Sequence, residues 1–196
     1  MADKVRADHK LILDIVQEGS YVLDLGCGDG ELLSLLQDKK GARGQGTDIR
    51  EEAIYDCVAR GLSVFHSDIE SGLSGYPDKS FDYVILNQSL QETRNSERVI
   101  YEALRVGKKT IIGFPNFAYL RARCQIFFKG ISPVTASLPY TWYNTPNVHF
   151  LSIKDFINFC RNRDIRIVKS YFLWRGRRMF FLPNLFAHIG IFVLEK

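Results

Sequence analysis

The sequence predicts an α/β protein built on a doubly wound, mostly parallel sheet. Three observations carry that prediction. Short apolar runs alternate with stretches of helical periodicity along the first 115 residues. The run Tyr21-Val22-Leu23-Asp24-Leu25 breaks into Gly26-Cys27-Gly28-Asp29-Gly30, and a helical pattern starts at once. Later runs close on Asp48, Asp68 and Asn87. A buried strand, a glycine turn and a helix N-terminus make the first unit of a nucleotide-binding sheet. Such alternation places consecutive strands parallel, with ligand chemistry at their carboxyl ends.

The elements follow in order. Residues 3–18 read as an amphipathic helix, with Val5, Leu11, Ile12, Ile15 and Val16 at helical spacing and Gly19-Ser20 as the stop. After the first strand, Leu32, Leu33, Leu35 and Leu36 mark a helix from about Gly30 to Lys39. A strand over 43–49 and a helix from Glu51 to Arg60 follow. Leu62–His66 is a third strand, closing on Ser67-Asp68, and Gly72 to Asp78 is a turn-rich link. Phe81–Leu86 is a fourth strand, Ser96 begins a helix, and Lys109–Phe114 is a fifth strand.

The rhythm fails between Pro115 and Phe150. A short helix with Phe117, Leu120, Cys124 and Phe127 precedes Pro133, Pro139 and Pro146 among clustered aromatics. Prolines at that density exclude a regular helix, so the segment reads as an aromatic insert at about 115–150: a lid, a partner interface or a packed surface loop. Ser152-Ile153-Lys154-Asp155 then starts a helix in capping-box style. Ile165–Leu173 and Phe186–Leu194 are strand-like, with Arg175–Arg178 a basic turn between them. Together they predict seven strands, the last two an edge hairpin, in one domain spanning 1–196.

Composition bounds the function. The four cysteines (Cys27, Cys57, Cys124, Cys160) are scattered, which argues against a zinc site or a disulfide framework and for a reducing compartment. Met1–Lys4 lead into a charged amphipathic stretch rather than an apolar signal core, and no apolar run is long enough to span a membrane. A cytoplasmic protein is expected. The net charge of +4 hides an asymmetry. Residues 1–98 carry 11 basic and 18 acidic side chains, net −7; residues 99–196 carry 15 and 4, net +11. The basic half suits nucleic acid, an acidic protein surface or simple solvation.

The turn's details select its ligand. A dinucleotide fingerprint wants Gly or Ala where this chain has Glu31. Asp29 and Glu31 suit a helix N-terminus but oppose a phosphate. With Asp24 they form an acidic pocket suited to a cation, and S-adenosylmethionine (SAM) carries a sulfonium, an ammonium and no phosphate. Asp48, 22 residues after Gly26, falls near the ~20-residue spacing at which an acid grips ribose hydroxyls. The expected cofactor-binding set is Asp24, Gly26, Cys27, Gly28, Asp29, Asp48, Ile49, Asp68, Ile69 and Asn87, with no metal. His149 is a weak candidate general base, with a structural loop histidine as the alternative. His66 lines the adenine edge or merely closes its strand. Cys27 reads as packing rather than as a nucleophile.

The pattern resembles class I SAM-dependent methyltransferases, with their Rossmann-like sheet, over nearly the whole chain. Val22–Gly30 is similar to their glycine motif, and residues 104–113 to a shortened segment before their fifth strand. A narrower resemblance rests on Asn87–Gln91, Gly113–Phe117, Pro133-Val134-Thr135 and Leu138–His149. These blocks resemble the methionine biosynthesis protein MetW family. That resemblance implies a SAM-binding cytoplasmic protein that accompanies and supports homoserine O-acyltransferase. An active methyltransferase acting on a small molecule is the alternative. Asn87-Gln88 lacks the following Pro-Pro-aromatic sequence of amino-group methyltransferases, which weighs against nucleic acid as partner.

Overall fold

The computed structural model describes residues 5–71 and 73–196. The outermost residues of the first predicted helix and the segment Met1–Lys4 lie outside them, as does Gly72 at the start of the predicted turn-rich link. The elements run α1 (Ala7–Ile15), β1 (Tyr21–Leu25), α2 (Glu31–Lys40), β2 (Arg43–Asp48), α3 (Glu51–Ala59), β3 (Val64–His66), β4 (Phe81–Asn87), α4 (Ser96–Val106) and β5 (Gly107–Pro115). Then come α5 (Leu120–Lys129), α6 (Ile153–Asn162), β6 (Arg166–Trp174), β7 (Arg177–Met179), α7 (Pro183–Phe186) and β8 (Ile189–Glu195).

The sheet order is β3-β2-β1-β4-β5-β8-β6-β7. The first five strands are parallel, while β8 runs antiparallel to both β5 and β6. The order reverses at β1 and β4, which opens a crevice at their carboxyl ends. The sheet has eight strands, not the seven expected. Arg175–Arg178 is a turn only at Arg175 and Gly176. Their φ values of 48° and 78° suit a two-residue hairpin of type I′, across which Trp174 pairs with Arg177. The chain leaves that turn as β7. The edge is therefore β7, and β8 fills the slot between β5 and β6.

Strand alternation sorts the core into two layers. Leu23, Leu25, Val84, Leu86 and Phe114 pack with Val99 and Leu104 of α4 and Phe156 of α6. Val22, Tyr83 and Ile85 face the other side, against Leu11 and Ile12 of α1 and Leu32 and Leu36 of α2. The same alternation turns Asp24 and Asn87 toward the α1 layer, at the crevice. Ser152 and Asp155 form the expected capping box: the Asp155 N–H donates to Ser152 Oγ (3.1 Å) and the Ser152 N–H to Asp155 Oδ2 (3.0 Å).

The insert is anchored at its base by Asn116, which is fully buried. Its Nδ2 donates to the carbonyls of Asn184 (3.1 Å) and Ala187 (2.8 Å), and its Oδ1 accepts from the Ala118 N–H (3.1 Å). Phe117, expected on the short helix, precedes it and packs on Phe150, with ring centres 4.9 Å apart.

Phe192 stands where the parallel and antiparallel parts of the sheet meet. Its ring lies 5.7 Å from that of Phe114 and 4.8 Å from that of Phe156. We expect Phe192→Ala to cost about 3–5 kcal/mol. Urea unfolding, read as a lower midpoint at unchanged slope, checks it.

Candidate SAM-binding site

The turn after β1 can be built only from glycines at its key positions. Gly26, Gly28 and Gly30 hold φ of 78°, 58° and 78°, the left-handed region where a side chain is strained. At Gly26 a Cβ would stand 2.6 Å from Ser89 Cβ, and at Gly30 it would run into Leu62 and Cys57. The turn is pinned to β2, because the N–H groups of Gly26 and Cys27 donate to the Thr47 carbonyl at 2.8 and 2.9 Å. Ser89 closes the other side by donating to the Leu25 carbonyl (2.6 Å).

Asp48, at the end of β2, is the electrostatic centre of the turn. It accepts from the Gly28 N–H (2.9 Å), the Arg50 N–H (3.0 Å) and Arg50 Nε (3.1 Å). Burial alone would raise its carboxyl, but the Arg50 and Gly28 donors hold it below the ordinary range. Ile49 beside it is exposed, an apolar face at the crevice rim. His66 Nε2 lies 2.7 Å from the Ile49 carbonyl, so it closes the β2–β3 end. Asp68 is exposed and accepts the Glu70 N–H (2.8 Å), which starts the short turn Ile69–Ser71.

Asp24 is the contrast. It is 3% exposed, and no hydrogen-bond donor reaches its carboxylate among the described residues. Burial, reinforced by the charge of Asp48, pushes its carboxyl up to about 7. The acidic pocket expected from Asp24, Asp29 and Glu31 is correspondingly smaller. Asp29 is exposed and pairs with Arg60, the residue that follows α3 (3.0 Å), while Glu31 Oε2 sits 3.0 Å from His9 Nδ1. Cys27 is buried with its Sγ 4.0 Å from Cys57 Sγ, and burial raises both thiols. That is the packing role expected of it.

Asn87 ends β4, and Gln88 follows with φ 61°, a strained position for a non-glycine residue at a site. Both amides donate to Asp8 Oδ2 on α1, at 3.0 and 2.8 Å. Asn87 Oδ1 is buried and has no partner. Sequence reasoning missed the Asp8–Asn87–Gln88 cluster and its closing cation, Arg6 (2.6 Å from Asp8 Oδ2). The available signal was Asp8-His9 at helical spacing from Leu11, Ile12 and Ile15. A charged pair on a buried stripe calls for partners from another element. Arg50, another missed residue, follows directly on the Asp48 strand end.

His149 does not reach the glycine turn's inner face. Its N–H donates to the Gln91 carbonyl (3.0 Å), and its Nε2 lies 3.2 Å from the Arg94 carbonyl. It lines a separate cleft of about 450 Å³ with Leu90, Ile100, Phe156 and Phe159. Leu90, which lines that cleft, begins the short turn Leu90–Glu92 that follows Asn87 and Gln88.

The architecture is that of the SAM-dependent methyltransferases. A SAM-dependent methyltransferase from Archaeoglobus fulgidus matches with a TM-score of 0.69 at 19% identity, covering 98% of this chain and 93% of that one. An S-adenosylmethionine-dependent methyltransferase from Mesorhizobium loti matches with 0.69 at 15% identity, over 98% and 99%. At these identities the likeness shows the fold. The chain belongs to the methionine biosynthesis protein MetW family, which it matches over residues 6–194. The bifunctional methionine biosynthesis protein MetXA/MetW of Rhodopirellula baltica is 39% identical over 160 residues, 77% of this chain and 26% of that protein. The chain thus spans about a quarter of that relative's length.

The Asp24 environment makes a pH prediction. The folded protein keeps the Asp24 proton to about pH 7, whereas the unfolded chain loses it near the ordinary 3.8. The native state therefore binds more protons in that window, and this group's contribution to stability falls as pH rises through it. Asp24→Asn should remove that slope and stabilise the protein by about 2–4 kcal/mol at pH 8, with little change near pH 4. Urea titrations at both pH values measure it.

Proposed function

We propose that this chain binds SAM at the glycine turn and, as a MetW protein, partners and supports the homoserine O-acyltransferase of methionine synthesis. The observation that carries the SAM reading is the Asp24 carboxylate. It is buried, no donor reaches it among the described residues, and it lies just before the turn in which Gly28 has no side chain of its own and only the Arg50 guanidinium within 4 Å of where one would start. A cationic, donor-bearing ligand satisfies such a group, and a phosphate does not. Asn87 shares the α1 face of the sheet with Asp24, although its unpaired Oδ1 is buried against Gly113 of β5.

Gly26, Cys27 and Gly28 then offer their backbone to the amino-acid part of SAM, with Asp24 and Asn87 as its polar partners. Asp48 takes the ribose, sharing its carboxylate with Arg50. Ile49, Asp68 and Ile69 border the adenine, and Asp29 lies on the rim. SAM supplies an activated methyl group when bound; methyl transfer needs chiefly in-line placement of a nucleophile. The partner reading rests on the family and on the R. baltica relative, whose name joins MetXA and MetW in one bifunctional chain. We take the MetXA function to be the acyltransferase. The insert at 115–150 serves as an interface in this reading.

A second reading, a small-molecule methyltransferase, is favoured by the apolar cleft at His149. It requires S-adenosylhomocysteine to appear with a particular metabolite; no turnover across a broad metabolite pool would remove it.

The deciding experiment measures acyltransferase activity with and without this chain. Wild type should co-elute with the enzyme and raise its activity; separate elution with unchanged activity sinks the partner reading. Gly28→Arg strains a residue at φ 58° and sets a cation against Arg50 (a Cβ there lies 3.7 Å from its guanidinium). It should abolish SAM binding, and its effect on the enzyme reports whether SAM occupancy matters. Wild-type SAM affinity should rise about tenfold between pH 5.5 and 7 as Asp24 ionises, and Asp24→Asn should flatten that rise, both by calorimetry.

A further inference from the structure

We infer that the acyltransferase docks, through an acidic surface with an apolar centre, on the aromatic basic face formed by α5, residues 131–143 and the corner before α7. The inference rests on the partner reading above and assigns it a surface.

The segments of this face are held to one another. Gln125 of α5 donates from Nε2 to the Val134 carbonyl (2.9 Å) and accepts the Val134 N–H at Oε1 (2.8 Å). Asn116, just before α5, holds the Asn184 and Ala187 carbonyls at 3.1 and 2.8 Å, which ties α7 to the same base. On that framework Phe127 is 81% exposed, Phe128 77%, Trp142 76% and Phe180 84%. Single exposed apolar residues are ordinary, but large exposed rings on segments that are tied together at their bases mark an interaction surface. Phe127 and Phe128 pack edge to face at 4.9 Å, as do Trp142 and Tyr143 at 5.6 Å. The rings brace each other at the surface rather than entering the core.

Charge chooses the occupant. Residues 116–150 contain Arg121, Arg123 and Lys129 and no acid; residues 174–188 contain Arg175, Arg177 and Arg178 and no acid. Among the described residues Arg121, Arg123, Lys129, Arg175 and Arg177 make no ion pair, whereas Arg178 pairs with Asp14 of α1 (2.9 Å), so the rings are rimmed mainly by cations. Aromatic and arginine side chains are the residues that dominate protein interfaces. An acidic rim on the partner neutralises the cations, and apolar side chains at its centre cover the rings. Single-stranded nucleic acid asks instead for open ring faces, and the edge-to-face pairs cover part of theirs. The exposed Tyr55 and Val58 on α3 sit among Glu51, Glu52 and Asp56, so that apolar patch repels an acidic partner.

The test uses the full chain and the intact acyltransferase, with affinity read by calorimetry. Phe127→Ser with Phe128→Ser, and separately Phe180→Ser with Phe181→Ser, should each weaken binding at least about 30-fold. Both should keep the wild-type thermal transition and SAM binding, because these rings touch neither the core nor the glycine turn. Tyr55→Ser with Val58→Ser should bind like wild type. Raising salt from about 50 to 300 mM should weaken the wild-type complex. If wild type binds and both double variants bind equally well, the face is wrong and the partner reading stands. If wild type fails to bind, the partner reading falls and takes this face with it. If the double variants lose binding to anionic phospholipid vesicles or to RNA while holding the enzyme as tightly as wild type, the face belongs to that other surface and the inference is overturned.

Discussion

The structure depends on how closely β1, β2 and β4 approach around one turn. Three residues of that turn take left-handed backbone, and the neighbouring side chains leave no room for Cβ atoms at two of them. Two of its N–H groups go to a single carbonyl, that of Thr47, and the Gly28 N–H goes to Asp48. The backbone's own hydrogen-bonding needs thus lock β1 to β2 at the sheet's reversal point. Ser89 then fastens β4's exit to β1's last carbonyl. The crevice between β1 and β4 is a consequence of that packing.

Within the crevice, the distribution of partners matters more than the count of acids. Asp48 has several donors and stays charged; Asp24 has none and holds its proton toward neutral pH. Two carboxylates on adjacent strands end up in different states because one lies beside Arg50 and a free N–H and the other does not. Leaving Asp24 unpaired costs stability, and a buried carboxyl held that way is what the proposed SAM site would use. Asp29, by contrast, is held by the Arg60 cation, while Glu31 lies beside His9, whose burial disfavours its charged form.

Much of this was legible because it is local. Alternation and helical spacing placed β1 to β5 and their helices within a few residues, and the glycine spacing marked the turn. What escaped was tertiary or hidden in short turn chemistry. The eighth strand turns on Arg175-Gly176, where an arginine takes a left-handed conformation that its residue type does not advertise. Asp8 meets Asn87 and Gln88 only through the fold, because α1 lies over the end of β4. The smaller acidic pocket likewise follows from Arg60 and His9, which sit 31 residues after Asp29 and 22 before Glu31. No local window joins those pairs.

The two halves of the chain divide the chemistry. The acidic half builds the crevice, and the basic half carries the insert and the antiparallel strands. The end of the insert meets the acidic half at Gln91, whose carbonyl takes the N–H groups of Val148 and His149 at 2.9 and 3.0 Å. The turn that carries Gln91 follows Asn87 and Gln88 directly. A ligand that draws on Asn87 therefore pulls on a segment bonded to the end of the insert. Such a contact couples two sites only if the ligand favours one arrangement of that turn over another. The left-handed backbone of Gln88 (φ 61°) is held on both sides, its N–H donating to the Gly113 carbonyl and its carbonyl accepting from Gln91 Nε2, both at 2.7 Å, so a rearrangement of that turn would have to break these bonds.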